Sequence, residues 1–219
     1  IVLDNLGIHL TAVWTTLGIG SVAVALALQD TLGNFFAGLY LVADRPVNLG
    51  DYIKLDSGQE GYVTHIGWRS TLLRTGQNNM VVIPNSTLAK AVIMNYSLPE
   101  ERMALNLAVS VACDSDPRRV EELLTDVASA AASEAAGAAG DGVEGVLGSP
   151  APVAQLNPGF GASTLDFTLI VPVRRFSDLG PVQSELRKRI LERFRQEGIE
   201  MPFPTQNVLV TSAAPEPHA

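Results

Sequence analysis

Asp114 and Asp116 stand two positions apart with Cys113 beside them, a compact group that could in principle bind a divalent cation or divide acid and base roles. The neighbouring residues point elsewhere. Asp116 precedes Pro117, which supplies an N-cap and a first-turn proline, so the pair is expected to start a helix. Cys113 has no base partner identifiable in the sequence, His65 falls in an expected strand, and His9 lies in an apolar segment with no second ligand nearby. The HExxH, P-loop and GxSxG patterns are absent. The chain is therefore read as a non-enzyme, with no catalytic residue, metal or cofactor. Arg174-Arg175 and Arg187-Lys188-Arg189 are expected to be solvated positive faces, and Asn85-Ser86-Thr87 and Asn95-Tyr96-Ser97 fit sequons of no consequence in a cytosolic domain.

A different group of residues carries a physical signal. At about 100° per residue, Val22, Leu26 and Gln29 fall on one helical stripe roughly 60° wide. Gly18, Ser21 and Ala25 flank it on one side, and Ala23, continuing to Ala27, flanks it on the other. Small residues let helix backbones approach closely in lipid, where no hydrophobic force separates helix from acyl chain. Small residues on both shoulders suit a closed ring of identical helices whose central stripe faces the axis. An apolar constriction formed by Val22 and Leu26 would empty of water and block ions, with Gln29 at a polar mouth. Spacing alone equally allows a Gly/Ala-rich helix packed in a bundle without a pore.

These positions need an element long enough to hold them in lipid. From Asn5 to Gln29 there are 25 residues without Asp, Glu, Lys or Arg, about 37 Å of helix against a hydrocarbon core of about 30 Å. A buried central helix of a soluble protein would read the same way. The flanks favour a membrane: residues 1–44 contain Asp4, Asp30 and Asp44 but no base, whereas Arg45, Lys54, Arg69, Arg74 and Lys90 follow, which places everything after Arg45 on the cytoplasmic side. The segment lacks the basic start and cleavage site of a signal peptide. The chain begins at Ile1 without a methionine and is read as a fragment or processed form.

A second helical stretch, Thr31 to Ala43, is expected to end at Arg45-Pro46. Five β-branched runs then follow at roughly ten-residue spacing: 51–55, 61–66, 70–74, 80–84 and 92–96. They predict a small β-barrel or sandwich. Beyond Met103 the order is strand 104–112, helix 117–136, a flexible Ala/Gly stretch through Gly148, strands 153–156 and 164–173 with Gly159-Phe160-Gly161 as a turn, and helix 181–197. This predicts a ferredoxin-like α+β domain, each helix covering one face of a small antiparallel sheet. A last strand, 206–211, follows the extended link Met201-Pro202-Phe203-Pro204 and is expected to pair with another chain. The domain reading is thus 1–44, 45–98, 99–205 and 206–219. The overall composition agrees: 219 residues, 47% apolar, only 17% charged against about 25% in an average domain, with a net charge of −8 that disfavours phosphate-backbone binding.

The run Ala25-Leu-Ala-Leu-Gln-Asp-Thr-Leu-Gly-Asn-Phe-Phe-Ala-Gly38, followed by Arg45-Pro46, Gly50-Asp51-Tyr52, Gly61-Tyr62-Val63, Arg74-Thr75, Ile83-Pro84-Asn85 and Asn95-Tyr96-Ser97, resembles the small-conductance mechanosensitive channel (MscS-like) family. The resemblance extends to Phe203-Pro204 and the terminal strand. It implies a homoheptamer in the inner membrane, a pore lined by the third transmembrane helix, an Sm-like β domain, an α+β domain, and an intersubunit β-barrel made by the C-terminal strands. By position it makes Val22 and Leu26 the gate, Gly18, Ser21, Ala23 and Ala25 the helix-packing residues, and Gly38, a glycine of the helix's lower half, a hinge position together with Asp30. It implies membrane lipid, further copies of the chain and permeating ions and solutes as partners, and no nucleic acid.

Two departures from the family pattern stand out. Val22 occupies a position where the family often has Leu, which would widen the constriction slightly. Asp30 replaces a kink glycine, and is expected either to break the helix by capping the segment from Thr31 or to place a ring of carboxylates at the pore mouth. The competing readings are a membrane-anchored Sm-like binding module, whose aromatic-plus-basic stripe is absent, and a non-conducting oligomeric scaffold. The basic runs 174–175 and 187–189 would, in a channel, act on ions entering a cytoplasmic vestibule.

Overall fold

The computed structural model describes residues 10–136 and 143–201, which divide into two compact units after Pro99. His9, Pro202 and everything after it, including the expected terminal strand 206–211, lie outside the described residues.

The first unit opens with one helix, α1 (Leu10–Asp44). The expected break at Asp30 does not occur. The segment 10–44 contains no proline, and the side-chain amide of Asn34 donates to the Asp30 carbonyl at 2.8 Å, within the helix. A carboxylate caps a helix only where backbone N–H groups lie open, and an unbroken ladder leaves none at residues 31–33. Gly38 does not interrupt the helix either. α1 stops at Asp44 because Arg45 turns left-handed (φ 51°) and Pro46 cannot donate a backbone hydrogen bond.

Five antiparallel strands follow: β1 (Tyr52–Leu55), β2 (Glu60–Ile66), β3 (Ser70–Arg74), β4 (Met80–Pro84) and β5 (Ile93–Asn95), in the order β4-β3-β2-β1-β5. A one-turn helix, α2 (Asn85–Leu88), links β4 to β5. Leu41 and Val47, at the foot of α1 and just beyond it, are buried with Ile53, Leu55, Val63, Leu73, Ile83 and Leu88, so the helix foot belongs to the core of the sheet. Polar bonds close the helix exit. Asp51 accepts from the Asn48 N–H and the Asn95 side-chain amide, both at 2.8 Å, and Asn95 also donates to the Pro46 carbonyl at 3.2 Å.

Higher on α1, Asn34 accepts the Ser86 N–H at 3.0 Å. Asn85 is fully buried: it donates to the Gly67 carbonyl at 2.9 Å and accepts from the Thr71 hydroxyl at 2.9 Å. Gly38 meets this cluster so closely that a Cβ there would lie 2.6 Å from the Asn85 amide nitrogen and 2.9 Å from the Trp68 carbonyl oxygen. Gly38 is needed because backbone and side chain touch here.

The second unit contains β6 (Met103–Ala112), α3 (Pro117–Ala136), β7 (Val153–Phe160), β8 (Thr164–Val173) and α4 (Leu179–Glu197), with the antiparallel sheet order β6-β8-β7. Both helices cover the same face. Strand alternation makes only one face apolar, with Leu105, Leu107, Leu165, Phe167 and Leu169 inward and Asn106, Ser110, Asp166 and Thr168 on the other side. Val120, Leu124 and Ala128 of α3 join Val182, Leu186, Ile190 and Phe194 of α4 over that face. The Gly159–Gly161 segment is not the turn: Gly159 and Phe160 still pair with β8 beyond a register shift, and the turn starts at Gly161, whose N–H donates to Thr164. The described end of the Ala/Gly stretch is packed, not flexible. Residues 137–142 lie outside the described residues, but Val143 and Val146 are buried and Val146 bridges to Val173.

Three outcomes test this packing. Phe167→Ala removes a fully buried side chain and should cost about 3–5 kcal/mol, read from denaturant unfolding of the second unit's signal. Gly38→Ala forces helix and sheet apart and should cost about 1–3 kcal/mol, with faster hydrogen exchange at the Asn85 amide. The Tyr52 phenol is pushed up to about 12 by its burial and by Glu60 beside it. The folded state thus favours the neutral phenol. Its contribution should be intact below about pH 10 and lost as pH rises toward 12, a loss that alkaline unfolding of Tyr52→Phe should lack.

Candidate pore helix and gate

α1 is apolar and lies almost bare within its own chain. The described span Trp14–Asp44 is 31 residues long, and its most apolar window is 6% buried. At 1.5 Å per residue it measures roughly 46 Å, more than a hydrocarbon core needs. Val22 and Leu26 are 59% and 65% exposed, and no atom comes within 4 Å of a Cβ built at Gly18 or Gly20. The shoulders of the stripe are therefore open for a neighbouring helix. Ser21, the one hydroxyl on these shoulders, donates to the Gly18 carbonyl at 2.8 Å, so it can sit in an apolar interface with its donor satisfied.

Where α1 meets its own sheet fixes which side stays free. Counting about 100° per residue from Val22, the docking residues Leu41, Asn34 and Gly38 fall at roughly 100°, 120° and 160°, from the angle of the Ala23 shoulder round to the back of the helix but several turns below it. Val22, Leu26 and Gln29 lie together on the front, where the sheet does not reach. Gln29 and Asp30 are both exposed, and Asp30 falls toward the Ala23 shoulder. Ala23 and Ala25 are exposed as well.

Sequence reading alone did not assign the docking residues Asn34, Ser86, Thr71 and Trp68 a role. One signal was present: an asparagine in the middle of an apolar helix must find polar partners, and Asn34 finds the Asp30 carbonyl and the Ser86 N–H.

The other chemically suggestive groups have local explanations. Asp116 accepts the Arg118 N–H at 3.0 Å and caps α3 as expected. His65 is an exposed strand residue beside the β2 bulge, and Cys113 is exposed. Among the described residues no three His, Cys, Asp or Glu side chains are grouped to hold a metal. The basic runs of the second unit are largely charge-matched: Arg189 binds Glu134 at 2.6 Å and Glu185 at 3.2 Å, Arg175 binds Glu101 at 2.7 Å, and Arg174 lies near Glu144 and Asp178. The Glu134 and Glu185 carboxylates hold the Arg189 guanidinium above its usual range, and Arg189 and Lys188 in turn lower Glu185.

Comparison with known proteins places this architecture. Residues 30–98 match the mechanosensitive ion channel β-domain, and residues 105–201 match the C-terminal domain of the mechanosensitive ion channel MscS. A small-conductance mechanosensitive channel of Helicobacter pylori is 30% identical over 93% of this chain and 69% of its own length. The small-conductance mechanosensitive channel MscMJ of Methanocaldococcus jannaschii is 32% identical over 94% of this chain, which spans 55% of that relative. The crystal structure of Helicobacter pylori MscS in a closed state superposes with a TM-score of 0.80 at 28% identity, covering 96% of this chain and 78% of that one. The matching family and these relatives are named as ion channels, not enzymes. The apolar helix, the Sm-like β sheet beneath it and the α+β unit that follows are the MscS arrangement, and the chain belongs to the MscS family of mechanosensitive ion channels.

Proposed function

We propose that this chain is the pore-forming and cytoplasmic part of a subunit of a tension-gated channel that releases ions and small solutes on osmotic downshock. The observation that carries this reading is the bare apolar helix whose Val22/Leu26 face points away from the sheet that holds its foot. Copies of α1 standing side by side through Gly18, Ser21, Ala23 and Ala25 enclose Val22 and Leu26 at the axis. The ring is closed to ions because two layers of apolar side chains exclude water from a narrow passage.

Tension acts through area. It stabilises whichever state occupies more membrane plane, and that state is the one in which the helices separate and the two apolar layers widen. A homoheptamer, set in the cell membrane with both described units beyond α1 on the cytoplasmic side, follows from the family resemblance and from the bases that begin at Arg45. Gln29 and Asp30 line the cytoplasmic mouth, where a carboxylate ring favours cations. The segment-by-segment division at 44/45, 98/99 and 205/206 separates pore, β, α+β and barrel-forming parts.

Patch recording of the full-length channel tests the gate. Val22→Ser and Leu26→Ser each hydrate the constriction and should lower the opening tension. A threshold equal to wild type in both variants would remove these residues from the gate.

A further inference from the structure

We propose that the α+β unit binds a second copy of itself head to tail: the outer flank of α4 in one copy, through Arg187 and Arg195, docks on the acidic cleft between α3 and β7 of the next, through Asp126 and Glu122. The inference rests on the reading above that copies of the chain stand in a ring.

Three observations carry it. The first is that the two surfaces lie on opposite sides of one unit. Across the sheet order β6-β8-β7, α3 lies against β7 and α4 against β6. On α4, Leu186, Ile190 and Phe194 are buried over the sheet, and the position just before Ile190 faces α3, where Arg189 binds Glu134. Arg187, Leu191 and Arg195, each one position after a buried residue, are therefore turned about 100° the other way and look out past β6. α3 mirrors this. Arg119, just before the buried Val120, pairs with Glu197 of α4, and Glu121, just after it, faces β7 and accepts the Leu156 N–H at 3.0 Å.

The second is that charge sign is separated across the unit. The α3–β7 cleft has a volume of about 680 Å³ and is lined by Arg118, Glu121, Glu122, Thr125, Asp126 and Ala154, three carboxylates against one guanidinium. Glu122 lies 3.6 Å from Arg119 yet keeps its side chain 67% exposed. The far flank of α4 carries two exposed arginines and no acid; Lys188 and Glu192 stand one position further round and offset each other. Opposite charges on opposite sides let each copy give one surface and receive the other, which builds a ring and not a two-fold pair.

The third is register. The pairs Arg119–Glu197 and Arg189–Glu134 set α3 and α4 antiparallel, with Arg119 and Glu197 level at 2.9 Å. At 1.5 Å per residue from that level, Glu122, Thr125 and Asp126 rise about 4, 9 and 10 Å on α3, while Arg195, Leu191 and Arg187 rise about 3, 9 and 15 Å on α4. A copy moved sideways, with no shift along the helices, thus brings Arg195 to Glu122, Leu191 to Thr125, and Arg187 within a turn of Asp126. The contact also has apolar material: Leu191 is exposed, and Phe160, 85% exposed, pairs with Leu165 and so stands on the helix side of β7.

The test is oxidative cross-linking of the full-length protein in mild detergent, with Cys113→Ser as the background and the assembled particle isolated by size before oxidation. Thr125→Cys with Leu191→Cys should give a ladder of dimers and larger species on a denaturing gel. The two cysteines face opposite flanks, too far apart to bridge within one chain. Neither variant alone should cross-link. Adding Arg195→Glu should slow the ladder about fivefold, the scale of turning one exposed attraction into a repulsion. Adding Glu122→Arg to that should restore it. An assembled particle whose double-cysteine form gives no ladder overturns the proposal. So does a dimer band from either single cysteine, which marks a two-fold contact, or a charge swap that fails to restore the rate. Failure to assemble at all would instead remove the ring reading, and this contact with it; particle size and cross-linking therefore separate the two failures.

Discussion

The structure depends on one imbalance: α1 carries more apolar surface than its own chain can cover. Burial of apolar area stabilises by about 25 cal/mol per Å², and a helix this long and this bare forgoes that along nearly its whole upper length unless lipid or other helices surround it. The rest of the first unit answers to this constraint. Its sheet buries only the helix foot, through Leu41 and Val47, and leaves the front of the helix untouched. A soluble core helix would be covered on all sides; α1 is covered at one end.

The junction between helix and sheet is polar as well as packed, which makes it specific. Asn85 and Thr71 are wholly buried and satisfy each other, and Asn34 uses both ends of its amide, one on the helix and one on α2. Buried polar groups of this kind tolerate few alternatives, since a shifted helix would leave donors without acceptors. The bonds of Asp51 and Asn95 do the same for the segment leaving the helix. Family motif residues that look scattered in sequence, from Arg45-Pro46 to Asn95-Tyr96-Ser97, thus gather at one structural joint.

Much of this was legible in the sequence. Strands β3 and β4 carry their expected limits because Gly, Asn and Asp punctuate β-branched runs cleanly, and α3 starts where Asp116-Pro117 says it must. What local reasoning missed was decided by context. Asp30 is a strong cap in isolation, yet it remains mid-helix because no breaker accompanies it and the ladder continues on both sides. Gly159 reads as a turn residue, but pairing with β8 resumes after a bulge and carries the strand to Phe160, four residues past its expected end. The buried Val143 and Val146 were hidden among alanines and glycines. Arg189 reads as a surface charge paired at most with Glu185 one turn back on α4, and its second carboxylate partner, Glu134, stands on α3, which only the tertiary fold brings alongside.

The absence of a bend in α1 has a mechanical consequence. From its fixed point at Gly38 to Val22 the helix is an unbroken lever arm of about 24 Å, so tipping it by about 10° at the joint would sweep Val22 sideways by about 4 Å. A hinged helix would absorb such a movement at its kink; a rigid one magnifies it.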